Sequence, residues 1–565
     1  MFMPVKVSDV TLRDGIEDFV LKYIHIEELV RLGELLDRAG FYSIDCWGGT
    51  TFYAALTALK EDPWERLKKL RRAVHHTPLQ MIVRGQMLVG FKPYHKELVR
   101  KFMSKAAALG IDIFRIYDSL NDLQNMKLTI TVAKELRKQV EATLLFSLNP
   151  HIKTDDYIRL AGELIHLGAD AICINDSFGV MTPHQVASLV ASYRKYFSQP
   201  LRLHLHDNHQ TALTSYQEGI RSGAEMVDTI LSALAWPYGP PAVESLVFSL
   251  GGTLYDPHLD VDVLSEISEY IRSLKKSYNY QEPVLKRSVD HLAGGYLPGP
   301  LKEFIREELI RRKARDRQQL AFKEGKKVWE DLGFPPLKGR ILEIVGEQTV
   351  ENIFSRHRYE TITPGMRDLV QGRYGRLYTP ANDALRRRAM AAAEAEAGPG
   401  WEGTLRHLPG LTREEDVLTY SLFPEEASGF FRLKLQAPTE KAPSPAAAAP
   451  AAPAPEAPVR LPPAIPRGLS MILKGEEVTA RMEGIGPLRN NKQTLFVSVF
   501  DHTEEIEVHR PASADRMPEY VVTMHGETYR IKFKKAFPKE EEYVPIFLEV
   551  NGKIEEFLIK HIHID

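Results

Sequence analysis

The chain has 565 residues, 44% of them hydrophobic and 26% charged; at roughly 100 to 200 residues per domain it should fold into about three units rather than around one core. Its 73 basic and 75 acidic side chains leave a formal net charge of -2. That balance excludes a general attraction to nucleic acid or to an anionic membrane surface, so an acidic ligand has to be caught by local charge.

The amino-terminal stretch MFMPVKVSDVTLRDG lacks a basic segment followed by an apolar one, and no apolar run reaches about 18 residues. The expectation is an unexported, cytoplasmic protein with no membrane span. Cys46 and Cys173, the only cysteines, lie in apolar strand-like runs, where small buried thiols fit a reducing compartment better than a disulfide or metal ligands.

Eight β-rich runs follow one another through the first half: VKVSDVTL, FYSIDCW, LQMIVRG, IDIFRIYD, ATLLFSLN, AICIND, LRLHLHD and MVDTILSAL. Amphipathic helical stretches separate them, such as EELVRLGELLDRAG (Glu27 to Gly40) and DYIRLAGELIHLGA (Asp156 to Ala169), several closed by Gly. Eight alternating βα units predict a (β/α)8 TIM barrel with its active site at the carboxyl ends of the strands. The barrel domain is assigned to residues 1–300. Residues 301–435 read as a helical extension with charged stretches such as FIREELIRRKARDR, and residues 436–466 as a Pro/Ala-rich linker that keeps two bodies apart. Residues 467–565 alternate apolar and polar positions around the pairs HG and NG, which predicts hairpins of a small β-rich domain.

In such a barrel the strand ends converge although they are distant in sequence. Here they are polar: Arg13 and Asp14, Arg84 to Gln86, Arg115 and Asp118, Asn175 and Asp176, and His204, His206 and Asp207. His204 and His206 are two apart, so a strand projects both imidazoles to one face, where they can hold a divalent cation with Asp14 as third ligand. A second HxH, His561 and His563, has no acid nearby and reads as ordinary strand residues. Arg84 and Arg115 would place two guanidiniums near the metal, suited to the carboxylate of a small oxo acid whose carbonyl the metal polarises. The other reading is that one of them pairs structurally with Asp118 or Asp14, which fits Arg115 better than Arg84, since Arg84 has no neighbouring acid in sequence.

These residues resemble a known family. TLRDG, DCWGGTTF, DPWERLKKLRRA, TPLQMIVRGQ, DIFRIYDSLND, the strand-7 HxHD and VDTILSAL are similar to the carboxyltransferase component of biotin-dependent enzymes. That component is found as the B-type subunit of pyruvate carboxylase, the oxaloacetate decarboxylase alpha chain and the transcarboxylase 5S subunit, within the HMG-CoA lyase-like superfamily of metal-dependent TIM barrels. The likeness continues through GFPPL, EIVGEQTVENI, GRYGR and EEDVLTYSLFP, and so spans about residues 5 to 430.

The resemblance implies a funnel of helices over the barrel and a divalent metal (zinc, manganese or cobalt) on Asp14, His204 and His206. It implies a 2-oxo acid bound near Arg84 and Arg115, with Glu17 and Gln86 in its pocket. It also implies a homodimer, partnered by a biotin carboxyl carrier protein and a biotin carboxylase subunit. Three positions depart from the family pattern: Asn175 stands where the family has a carboxylated lysine ligand, Tyr238 aligns with its proton-carrying threonine, and Glu17 with a glutamine. Lys474 lacks the flanking methionines of a biotin attachment site, so biotin is expected on a separate carrier. Carboxyl transfer by an altered site is the first expectation. A metal-dependent lyase or aldolase of the same superfamily and a degenerate scaffold subunit are the alternatives.

Overall fold

In the computed structural model, the residues described are 4–15, 17–235, 239–281, 297–391 and 413–436, together with the backbone of eight strands between 468 and 560; side chains at 17, 18 and 432–436 are not among them. The chain divides into two compact units, residues 1–440 and 441–565.

The eight β-rich runs form eight parallel strands: β1 (Lys6–Asp9), β2 (Ile44–Gly48), β3 (Leu79–Arg84), β4 (Ile113–Tyr117), β5 (Gln139–Leu145), β6 (Ala171–Asp176), β7 (Leu201–Leu205) and β8 (Met226–Thr229). Each pairs with its sequence neighbour, and β8 returns to β1 in the register Lys6 opposite Met226 through Asp9 opposite Thr229, which closes the barrel. Nearly every residue of these strands is buried on both faces, including polar ones such as Arg115, Glu141, Arg202 and Asp228, so no exposed face marks them.

Strand β1 is shorter than its apolar pattern. The Asp9 carboxylate accepts hydrogen bonds from the Thr11 backbone N–H (3.1 Å) and hydroxyl (2.5 Å), and the chain turns at once into a helical turn, Thr11–Asp14. A short acidic side chain bonding two residues ahead competes with the strand ladder, and here it wins. Arg13 and Asp14 are thereby carried over the barrel mouth.

Helices after residue 297 build a second apolar core, containing Leu301, Ile305, Val328, Trp329, Ile344 and Leu369, which reaches the barrel through Met87 and Leu120. They are fastened to the carboxyl-end loops. Asn125 Nδ2 donates to the Tyr374 carbonyl (2.9 Å), Asn149 Nδ2 to the Gly333 carbonyl (2.7 Å) and Tyr94 OH to the Leu422 carbonyl (2.9 Å). This is the funnel the resemblance implies, seated on the end where the functional loops lie.

In the second unit, eight strands from β9 (Gly468–Leu473) to β16 (Lys553–Lys560) pair antiparallel around a closed barrel. The HG and NG pairs fall between strands whose registers close at Met524 opposite Glu527 and Val550 opposite Lys553, as hairpins require. The Pro/Ala segment, Lys474, His561 and His563 lie outside the described residues. No described helix is long and apolar enough to cross a membrane.

Candidate functional site

His204 is the fourth residue of β7, fully buried, and His206 follows just beyond the strand end. The helical turn after β1 brings Asp14 to them. Asp14 Oδ2 lies 2.9 Å from His204 Nε2 and 3.3 Å from His206 Nε2, and the two Nε2 atoms are 3.3 Å apart. One ligand atom from each residue fits within 4.8 Å. Two imidazole nitrogens and one carboxylate oxygen form a donor set that suits zinc, manganese or cobalt.

The protonation states agree with ligation. Burial pushes the Asp14 carboxyl up, but Arg13 (3.2 Å) and His206 outweigh it and hold it well below the usual carboxylate range. Burial lowers His206 against the pull of Asp14, which favours the neutral ring. A carboxylate and neutral imidazoles are the forms that bind a cation.

Beneath this cluster lies a layer of buried charge that sequence reasoning did not find. Asp228, on β8, takes four hydrogen bonds: from Arg115 (2.5 and 3.1 Å), from Arg202 (2.8 Å) and from His204 Nδ1 (2.7 Å). Glu141 on β5 accepts from Arg115 and Arg202, each at 2.5 Å. All five side chains are at most 1% exposed. Burial would raise the Asp228 carboxyl, yet Arg115 and Arg202 hold it far below the ordinary value. It therefore keeps the proton of His204 on Nδ1 and leaves Nε2 free to bind a metal, the supporting role that carboxylates play behind ligand histidines. The legible signal was an acid at an inward position of VDTI, alternating with apolar residues.

Arg115 therefore stands away from the oxo-acid position expected of it. It sits in the middle of β4, where an inward side chain enters the barrel interior, and its donors are spent on Glu141 and Asp228. Arg84 is the last residue of β3 and does face the mouth. Its Nε donates to the Tyr117 hydroxyl (2.8 Å) and one terminal nitrogen to the Gly90 carbonyl (2.6 Å). Gln86 follows in a short 3-10 turn, Gly85–Met87, and is half-buried there. Glu17 begins the helix Glu17–Tyr23, but its side chain and all of Tyr238 lie outside the described residues.

Asn175 is buried beside His204, its register partner on the neighbouring strand. Its Oδ1 accepts from the Ser177 hydroxyl (2.6 Å), whose oxygen in turn accepts from Lys338 Nζ (2.8 Å). Asp176 serves the backbone instead: it accepts from the N–H groups of Phe178 (3.2 Å) and Met181 (2.7 Å), and burial raises its pKa to about 6. The loop it holds includes Gly179, at φ +61°, where any Cβ would run into the His206 carbonyl oxygen. Only glycine fits that approach without moving His206. Lys338 was missed by sequence reasoning, because a lysine in a short PLKG loop carries no periodic or spacing signal.

Comparisons with known proteins bear on the family and the fold. Residues 4–271 match the HMGL-like family and residues 305–484 the conserved carboxylase domain. The chain is 35% identical to the B-type subunit of pyruvate carboxylase from Methanocaldococcus jannaschii, over 89% of this chain and 92% of that one. It is 30% identical to the 2-oxoglutarate carboxylase large subunit of Hydrogenobacter thermophilus, over 89% and 80% of the two chains. It is also 30% identical to the methylmalonyl-CoA carboxyltransferase 5S subunit of Propionibacterium freudenreichii, over 77% and 88%. Among solved structures, the carboxyl transferase domain of Rhizobium etli pyruvate carboxylase with pyruvate and biocytin superposes with a TM-score of 0.70, covering 90% of this chain and 89% of that one at 22% identity.

Proposed function

The chain belongs to the family of carboxyltransferase subunits of biotin-dependent enzymes, and from that premise we propose that it moves a carboxyl group between N-carboxylated biotin and a 2-oxo acid such as pyruvate or oxaloacetate. The biotin arrives on a separate carrier protein, charged by a biotin carboxylase subunit, and the working assembly is a cytoplasmic complex built on a homodimer of this chain. The observation that carries the reading is the convergence of Asp14, His204 and His206 at the barrel end where Arg84 closes β3, its guanidinium without a carboxylate partner among the described residues.

Asp14, His204 and His206 would hold a divalent cation, which when bound supplies Lewis-acid polarisation of the substrate carbonyl. The chain's own groups do the rest. Arg84 pairs with the substrate carboxylate and orients it. Arg115 and Arg202 fix Asp228, which keeps the ligand nitrogen of His204 unprotonated. Asn175 and Gln86 offer neutral hydrogen bonds at the mouth, and Tyr238, with Glu17 assigned to the same pocket, is assigned to proton transfer at the carbon that accepts the carboxyl group.

The test is oxaloacetate decarboxylation by the purified chain with a biotinylated carrier. Activity that avidin abolishes and that falls at least 100-fold in His204→Ala is expected. Avidin-insensitive cleavage would move the chain to the lyases of the same superfamily. No turnover, with metal absent and the carboxylase complex still assembling around His204→Ala, would make it a scaffold.

A further inference from the structure

The funnel brings one charged side chain to the mouth that the mechanism above leaves without a task. Lys338 lies in the turn before the helix Arg340–Phe354, and that turn is fastened to the barrel. Ser147 Oγ donates to the Phe334 carbonyl (2.9 Å) and Asn149 Nδ2 to the Gly333 carbonyl (2.7 Å), so the approach to Lys338 is held by the exit loop of β5. Gly339, at φ +57°, packs on Arg84: a Cβ there would stand 3.7 Å from the guanidinium carbon. Lys338 Nζ donates to Ser177 Oγ at 2.8 Å and lies 5.7 Å from the centroid of the Tyr117 ring, while Arg84 Cζ lies 5.9 Å from the same ring.

Two cations therefore share Tyr117, and among the described residues neither forms an ion pair. Their partners are a phenol, a backbone carbonyl and a hydroxyl, all neutral. The other cations of this end are matched. Arg13 pairs with Asp14 and Asp45, and Arg115 with Glu141 and Asp228. Burial lowers the Lys338 pKa, with Tyr117 and Asp14 pulling it back. A cation withdrawn from water among neutral partners is held at a cost that an anionic ligand removes.

One substrate carboxylate accounts for Arg84. Carboxyl transfer creates a second: the substrate carbon gives up a proton and bonds to the carboxyl carbon, the N–C bond of carboxylated biotin breaks, and the biotin nitrogen takes that proton. The product is a dianion. We propose that Lys338 binds the second carboxylate of a dicarboxylic 2-oxo acid, the group that the transfer adds, while Arg84 binds the first. This rests on the carboxyltransferase reading and adds to it the residue that selects the dicarboxylate.

The test is calorimetric titration of the full chain, loaded with manganese(II), freed of excess metal and kept without the biotin carrier, with freshly dissolved oxaloacetate and with pyruvate. The unaltered chain should bind oxaloacetate at least tenfold more tightly. Lys338→Met should lose at least tenfold for oxaloacetate and less than threefold for pyruvate, and Lys338→Arg should recover most of the loss. Should Lys338→Met fail to fold, Lys338→Gln, which keeps a donor for Ser177, takes its place. Equal affinity of the unaltered chain for both acids, or an equal loss for both in the variant, overturns the assignment of Lys338 and leaves the carboxyltransferase reading standing. Binding of neither acid by the unaltered chain overturns both.

Discussion

Replacing Asp228 by Asn tests the buried layer under the metal-facing residues. The side chain keeps its size, so packing is unchanged, but one of two buried negative charges facing Arg115 and Arg202 is removed. Breaking one member of such a network costs up to roughly 3–5 kcal/mol of stability, because two buried guanidiniums are left to share Glu141, with only Asp45, 3.6 Å from Arg115, beside it. The amide also cannot satisfy all four donors that now reach the carboxylate at 2.5 to 3.1 Å. If its oxygen stays with the two arginines, its NH2 group faces His204 Nδ1, which must then accept. The ring proton moves to Nε2, the very atom that would bind a metal. Loss of this supporting carboxylate should weaken metal binding about 10- to 100-fold, or about 1.4–2.7 kcal/mol. Calorimetric titration with manganese(II), and a thermal melt of the metal-free protein, measure the two effects separately. Asp228→Asn binding manganese within threefold of the unaltered chain, with an unchanged melting temperature, would refute the reasoning.

Asp9 predicts a pH dependence. Burial raises its carboxyl to about 7, so between the ordinary carboxylate pKa and 7 the folded chain holds a proton that the unfolded chain has lost. Its contribution to stability is therefore full below about pH 4 and falls as pH rises through 7, by on the order of 4 kcal/mol. The melting temperature of Asp9→Asn relative to the unaltered chain should rise between pH 5.5 and 8, and a difference that stays flat across that range contradicts the assignment. Gly179→Ala should destabilise by roughly 1–2 kcal/mol from its positive φ alone and displace His206, reducing manganese affinity at least tenfold. The exposed helical Gly429, with nothing near its Cβ position, should instead tolerate alanine with a gain of about 0.5–1 kcal/mol, read from the same melts.

The barrel was legible because the strands are short, apolar-rich runs separated by amphipathic helices, several closed by Gly, a local pattern that depends on no distant partner. The convergence of Asp14, His204 and His206 was legible for a mixed reason: HxH on a strand is local, and the barrel topology then says which other strand ends can meet it. The same logic misplaced Arg115, because chain order alone does not separate a strand's last residue, which faces the mouth, from its middle one, which points into the barrel. Strand β1 was overextended because the pull of the Asp9 side chain on Thr11 leaves its apolar pattern intact.

What the sequence by itself determined was the order of elements, the likeness to biotin-dependent carboxyltransferases and the identity of the residues at the strand ends. Only the tertiary structure decided their protonation and pairing. Asp228 and Arg115 are 113 positions apart and Lys338 and Ser177 are 161 apart, and their meeting depends on how the barrel closes and where the funnel is fastened. Hydrogen bonds and ion pairs act over a few ångströms, and no periodicity in the chain encodes a contact made across so many residues.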